Sequence, residues 1–248
     1  MKFLLLDIGN TSIAYSTTFN DKVQEIKRVK NIENPDNFID SLNFSDINKV
    51  VICSVVPSIS DSIINILKLK NIEFFEVNYT NCGIKLLVNN PSDVGADRIC
   101  NVVGANKINK STIIIDFGTA TTYDVTNEYG DFIGGSIGPG IDISADYLIE
   151  KAALLKDTIY TFPDKIIGQS TESNIQSGVM YGGLFSVIGM INAIKLEMKN
   201  PDMQTIITGG FGKLISDNLS IEHIYSKSLT MDGMIQIYSN NFLNQTGK

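Results

Sequence analysis

Two segments of this chain repeat one uncommon pattern. Leu4-Leu5-Leu6-Asp7-Ile8-Gly9-Asn10-Thr11 and Ile113-Ile114-Ile115-Asp116-Phe117-Gly118-Thr119-Ala120 each run apolar-apolar-apolar-Asp-apolar-Gly. An unbroken apolar run of this length suits a strand covered on both faces. Asp and Gly then turn the chain, Asp through its side-chain acceptor and Gly through its missing Cβ. Two such strand ends in one chain restrict the fold to a duplicated plan.

The surrounding pattern supports duplication. Ile13 to Phe19 and Lys22 to Val29 read as strands parted by a Phe-Asn-Asp tip, which is hairpin chemistry. Thr121 to Val125 and Asp131 to Ser136 read the same way around a turn at Asn127 to Gly130. Val50 to Val56 and Thr205 to Thr208 predict a further buried strand in each half, followed by helices over Ser58 to Lys70 and Phe211 to Ser216. Phe74 to Val77 predicts one more strand. Helices are expected from Pro35 to Leu42 with Asn34 as cap, within Asp93 to Ile108, within Pro139 to Leu155, from Glu172 to Met198 and from Thr230 to Asn241. The class is α/β, with duplicated mixed sheets flanked by helices. The halves are expected to meet at a packed hinge near Lys110, giving domains 1–110 and 111–248, because no Pro/Ser-rich linker intervenes.

Composition narrows the function. A 248-residue chain with 43% hydrophobic and 19% charged residues can bury a sizeable core. The net charge of −7 leaves no basic surplus for a nucleic-acid backbone. The three cysteines, Cys53, Cys82 and Cys100, include no C-x-x-C pair and read as buried free thiols. The single histidine, His223, cannot build a multi-histidine metal site. The apolar run at the N-terminus ends at Asp7, too early for a secretory leader. No stretch approaches the roughly 20 apolar residues of a membrane helix. A soluble cytoplasmic protein is expected.

The Asp-x-Gly strand end has a chemical use. Glycine lets an anion approach backbone N–H groups, and Asn10, Thr11, Thr119, Thr121 and Thr122 add side-chain donors. Asp7 offers an oxygen to a hard cation such as Mg²⁺. A bare carboxylate beside a triphosphate is unfavourable by about 4 kcal/mol per unit pair at 4 Å and an effective dielectric near 20, so Asp7 implies a cation. Alone, each motif is an ordinary turn. As a pair they suit two facing halves that hold a nucleotide.

The order of motifs resembles type III pantothenate kinases. It runs Asp7-Ile8-Gly9-Asn10-Thr11, Gly95-Ala96-Asp97-Arg98, Asp116-Phe117-Gly118-Thr119-Ala120-Thr121-Thr122, Gly134-Gly135-Ser136-Ile137-Gly138-Pro139-Gly140, Gln176-Ser177-Gly178 and Thr208-Gly209-Gly210. The resemblance spans nearly the whole chain. It implies two ribonuclease H-like domains of the actin-like ATPase superfamily, a homodimer, and ATP-dependent phosphorylation of pantothenate to 4'-phosphopantothenate, the first step of coenzyme A biosynthesis.

The resemblance also implies residue roles. Asp7, Ile8, Gly9, Asn10, Thr11, Ser12, Ile13 and Ala14 would form the first ATP phosphate loop, with Asp7 near Mg²⁺, directly or through water. Thr119, Gly209 and Gly210 would also meet ATP. Asp116 would bind a monovalent cation, K⁺ or ammonium. Val88, Gly95, Ala96, Asp97 and Arg98 would line the pantothenate site, with Asp97 as general base, and Thr171 would reach pantothenate from the other subunit. Two positions depart from the family pattern: Val88 stands where many relatives carry Tyr, and Ser170 where Asn is usual. Two rival readings stay open, a kinase for a sugar or small carboxylic acid and a nucleotide-binding regulator of transcription. No nucleic-acid or membrane partner is expected.

Overall fold

The first apolar run forms the central strand of a mixed sheet. The first half of the computed structural model, which describes residues 1–30, 35–106, 110–151 and 161–246, contains β1 (Phe3–Ile8), β2 (Ser12–Phe19), β3 (Lys22–Val23), β4 (Lys27–Lys30), α1 (Pro35–Asp40), β5 (Lys49–Ser54), α2 (Pro57–Leu69), β6 (Phe74–Glu76) and α3 (Ala96–Ala105). β1 pairs antiparallel with β2 and parallel with β5, and β5 pairs parallel with β6. Asn34, the expected cap of α1, lies outside the described residues. The single strand expected from Lys22 to Val29 is two short strands, β3 and β4, whose registers on β2 (Thr18↔Val23 and Tyr15↔Lys27) differ by one residue.

Period-two alternation divides β1 between two cores. Leu4, Leu6 and Ile8 pack with Ile13, Ile52, Phe38, Ile63 and Leu67 under α1 and α2. Phe3 and Leu5 pack on the other face with Val51, Cys53, Ile99 and Cys100 under α3. Asp7 alternates with Leu5 and therefore belongs to the α3 face.

The second half repeats the plan with β7 (Thr112–Phe117), β8 (Ala120–Thr126), β9 (Phe132–Pro139), α4 (Ile141–Lys151), α5 (Thr171–Glu197), β10 (Gln204–Gly209), α6 (Gly212–Ser216), β11 (Ile224–Tyr225) and α7 (Leu229–Thr246). Its sheet order is β11-β10-β7-β8-β9, matching β6-β5-β1-β2-β3 of the first sheet. β7 pairs antiparallel with β8 and parallel with β10, as β1 does with β2 and β5. The expected helix after Pro139 is α4; residues 152–155 of that expectation lie outside the described residues.

The chain divides into two compact units, Met1–Asn109 with Gly130–Ile133 and Ser228–Lys248, and Lys110–Tyr129 with Gly134–Lys227. The units part at Lys110, and α7 groups with the first of them. Met231, Met234, Ile237 and Tyr238 of α7 complete the core beneath α3. Residues 228–248 therefore do not group with the second half, because their apolar face is buried by Phe3, Val103 and Phe75.

Candidate active site

Both Asp-x-Gly motifs fold into tight hairpin turns at the ends of central strands. In the first, the Gly9 N–H donates to the Ser12 carbonyl at 3.0 Å. In the second, the Gly118 N–H donates to the Ala120 carbonyl at 3.0 Å. Ile8 pairs with Ile13 and Phe117 with Thr121, so the first loop is one residue longer. Asn10 and Thr11 are exposed at the first tip, as is Thr119 at the second. Ile8, Ile13 and Ala14 are buried, so a ligand can meet only their backbone. Gly140 backs the second loop: a Cβ there would lie 2.6 Å from both the Gly118 and Thr119 carbonyl oxygens. Gly140, which closes the Gly134 to Gly140 run, therefore packs its backbone against this loop.

Asp97 occupies the first turn of α3, half-buried. Its Oδ1 accepts a hydrogen bond from the Arg98 N–H at 2.7 Å. Gly95 precedes the helix, and a Cβ on it would come within 2.5 Å of that same oxygen. The spacing Gly95-Ala96-Asp97 thus seats the carboxylate against bare backbone. Burial pushes the Asp97 carboxyl above its ordinary range, although the Arg98 N–H and guanidinium pull the other way. Ala96 is buried and fixes the turn on the core.

Beneath this turn lie two thiols. Cys53 and Cys100 are fully buried, their thiols hydrogen-bonded to each other. The contact with Cys100 and then burial push the Cys53 thiol well up, and burial pushes Cys100 up. The Asp7 and Asp97 carboxylates both add to these shifts, and Asp7 is paired with Cys53 in the β1–β5 register. Strand parity puts Asp7 on the α3 face of its sheet, and Asp97 stands in the first turn of α3. The expected free, buried thiols are present, Cys82 included.

Arg98 lies with its guanidinium carbon 5.2 Å from the centroid of the Phe132 ring. Phe132 is held by a bridge to Leu86, with the Leu87 N–H donating to the Phe132 carbonyl at 2.8 Å. Val88, half-buried, is the next residue along. The structure therefore gathers Gly95, Asp97, Arg98 and Phe132 at the start of α3, with Val88 two residues along the chain from the bridge at Leu86. Phe132 belongs to this group and was not legible in the sequence, because a parallel bridge to Leu86 leaves no periodic signal.

In the second unit, Asp116 stands opposite Thr122 on β8 and Thr208 on β10. Gly209 has φ +90°, and a Cβ on it would meet Asp116 Oδ1 at 2.4 Å. Glycine therefore keeps open the ground beside the Asp116 carboxylate. Asp124, fully buried two residues beyond Thr122, is a second carboxylate of this sheet that sequence reasoning missed. Its Oδ2 accepts from the Thr122 hydroxyl at 3.4 Å. Gly210 is exposed at the turn after β10.

Thr171 opens α5. Ser170 caps this helix, its hydroxyl accepting from the Ser173 N–H at 3.2 Å in a reciprocal capping box. Ser and Asn are interchangeable as caps, which makes the departure at Ser170 structurally conservative. Only one stripe of α5, Ser177, Met180, Leu184, Val187 and Ile191, is buried. A groove of about 720 Å³ runs beside it, walled by β9, α4 and α5, with Thr171, Gly178 and Gly182 on its α5 side. Among the described residues α5 is the one helix long and apolar enough to cross a membrane, by length and composition alone.

Solved structures with the same fold include a Campylobacter jejuni protein described as a conserved Baf family transcriptional activator, with TM-score 0.66, 21% identity and coverage of 97% of this chain and 99% of that one. MreB5 of Spiroplasma citri bound to ADP matches with TM-score 0.54 and 11% identity over 100% and 99% of the two chains. At these identities the likeness concerns the fold alone, and the fold is that of the actin-like ATPases, two ribonuclease H-like sheets in one chain.

The family follows from sequence comparison. Residues 3–193 match the family model of type III pantothenate kinase. The type III pantothenate kinase of Agathobacter rectalis is 35% identical over 95% of this chain and 96% of its own length. That of Sulfurihydrogenibium sp. strain YO3AOP1 is 38% identical over 93% and 97%. The chain belongs to the type III pantothenate kinase family, and with it to the phosphotransferases.

Proposed function

We propose that this protein transfers the γ-phosphoryl group of ATP to the primary hydroxyl of pantothenate, giving 4'-phosphopantothenate and ADP. The observation that carries the reading is Asp97: a half-buried carboxylate with a raised proton affinity, set against Gly95 at the start of α3 beside Arg98. Phosphoryl transfer needs positioning and charge stabilisation more than covalent chemistry. Asp97 orients the hydroxyl and takes its proton as the new P–O bond forms and the bond to the β-phosphate oxygen breaks. A carboxylate pushed upward by burial is the better base for that proton. Arg98, stacked on Phe132, holds the pantothenate carboxylate. Val88 offers an apolar contact where a tyrosine would offer a hydroxyl.

The exposed Asn10, Thr11 and Thr119 and the backbone of residues 8–14 bind the phosphates, with Gly209 and Gly210 toward the adenosine. Asp7 fits a Mg²⁺ accompanying ATP, since an oxygen donor at the α3 face of β1 is what that ion takes. Asp116 fits K⁺ or ammonium, since Gly209 leaves open the ground that a Cβ would fill. When bound, these ions offset phosphate charge.

The active unit is a homodimer built through α5. Gly178, Gly182 and Gly189 have no atom within 4 Å of where a Cβ would stand. A helical glycine costs about 1 kcal/mol relative to alanine. Three that face open space in one chain make sense when a second chain packs there. Phe185, 53% exposed, and Leu196, 80% exposed, lie on the same uncovered helix. Thr171 at its start would then serve the partner's pantothenate. The protein works in the cytoplasm.

The test is product identification. Purified protein with ATP, Mg²⁺ and K⁺ is offered pantothenate, hexoses and small hydroxy acids in parallel, and products are read by mass spectrometry. Phosphopantothenate as the dominant product is expected; phosphorylation of a sugar or another acid in its place would overturn the substrate assignment.

A further inference from the structure

Neither phosphate loop carries a cation. Residues 7–14 and 116–122 contain no lysine or arginine, yet each begins with an aspartate, and the chain as a whole is at −7. Backbone N–H groups and hydroxyls bind phosphate well, but they do not neutralise it. A polyphosphate beside Asp7 calls for fixed positive charge.

The sheet delivers one from outside the motif. β4 pairs antiparallel with β2 in the register Ser12↔Lys30, Ile13↔Val29 and Ala14↔Arg28. Paired residues share a face of the sheet, and Asp7 is paired with Ala14. Asp7, Ser12, Ala14, Arg28 and Lys30 therefore lie on one face, while Val29 packs into the opposite core. The Arg28 Nη1 donates to the Ser12 hydroxyl at 3.0 Å, which ties the guanidinium to the first loop. Arg28 is exposed, so its other donors can reach a ligand.

We infer that Arg28 is a polyphosphate-binding residue, held at the first phosphate loop by Ser12 and supplying the positive charge that the loop itself lacks. The inference rests on the reading of residues 7–14 as a phosphate loop. A guanidinium suits this task because its planar fork matches phosphate oxygens and its charge does not titrate. Lys30, on the same face at the Ser12 register, adds long-range charge in the same direction.

The test measures affinity by calorimetry for Mg·ADP, Mg·ATP analogue and adenosine, with wild type, Arg28→Ala, Arg28→Lys, Ser12→Ala and Asp7→Asn. Removing a charge-assisted hydrogen bond should weaken the nucleotides about 10- to 100-fold. Adenosine, which has no phosphate, should bind Arg28→Ala as it binds wild type. Arg28→Lys should recover part of the loss, and the salt dependence of nucleotide binding should fall in Arg28→Ala. Ser12→Ala should cost less than Arg28→Ala, because the charge remains. Nucleotide affinity within twofold of wild type in Arg28→Ala, with Asp7→Asn impaired, would overturn this inference and leave the loop reading standing. Equal losses in Ser12→Ala and Arg28→Ala would also overturn it, reducing Arg28 to a prop for Ser12. Undiminished binding in both Asp7→Asn and Arg28→Ala would overturn the phosphate-loop reading itself.

Discussion

Two adjacent glycines at the end of β10 should respond oppositely to the same substitution. Gly209 sits at φ +90°, where an L side chain is strained by about 1–2 kcal/mol. Its Cβ would also lie 2.4 Å from Asp116 Oδ1, 2.5 Å from the Phe117 N and 2.6 Å from the Phe117 O. Two of those three atoms are backbone of the central strand β7 and cannot swing aside, so overpacking adds about 1–3 kcal/mol. Gly209→Ala should therefore lose about 3 kcal/mol, which for a chain of this size lowers Tm by about 6–12 °C. Gly210 has ordinary φ and its nearest neighbour, the Phe117 O, is 3.8 Å from a Cβ. Gly210→Ala should stay within about 0.5 kcal/mol of wild type. Differential scanning calorimetry of the pair settles the stability difference, and titration with K⁺ settles the functional one. Gly209→Ala should lose its response to K⁺ because its Cβ displaces the Asp116 carboxylate. A Gly209→Ala protein with wild-type Tm and wild-type K⁺ activation would refute the reasoning.

Other perturbations have equally definite outcomes. The fold raises the Asp97 carboxyl above its ordinary 3.8, so the charged form is penalised and wild type loses stability as pH rises from 3.8 through the folded value. Asp97→Asn should then melt above wild type at neutral pH and lose that advantage below 3.8; a constant difference across pH would contradict it. Gly182→Arg meets open space within one chain, so the monomer should fold, but sedimentation should show it no longer dimerises and turnover should fall with it. Gly233 of α7 sits on α3 so closely that a Cβ would lie 1.9 Å from the Cys100 carbonyl oxygen. Gly233→Ala should shift α3 and cost about 100-fold in kcat with pantothenate. Ile63→Val, on the opposite face of the sheet, should leave kcat unchanged; equal effects would reduce Gly233 to a stability residue.

The duplicated plan was legible because both central strands announce themselves locally, as apolar runs closed by Asp-x-Gly. The hairpins were legible for the same reason. Gly95 and Asp97 lie two residues apart, so one turn of helix suffices to bring them together. What escaped the sequence depends on long-range contact. Leu86 finds Phe132 through a bridge, and α7 crosses back to α3 through Gly233 and Gly104, with the Thr230 hydroxyl donating to Asn101 Oδ1 at 2.8 Å. Glycines at such crossings carry no periodic signal. Arg28 escaped because it lies outside any motif, and only the β2–β4 register places it beside Ser12.

The central claim is that Asp97 accepts the pantothenate proton during phosphoryl transfer. ADP release by wild type and Asp97→Asn, with and without pantothenate, in ATP, Mg²⁺ and K⁺, tests it most directly. Pantothenate-dependent release by wild type, lower by about 100-fold or more in kcat in Asp97→Asn, with ATP affinity retained, is expected. Near-normal turnover in Asp97→Asn would contradict the assignment, and wild type that binds ATP but ignores pantothenate would contradict the function.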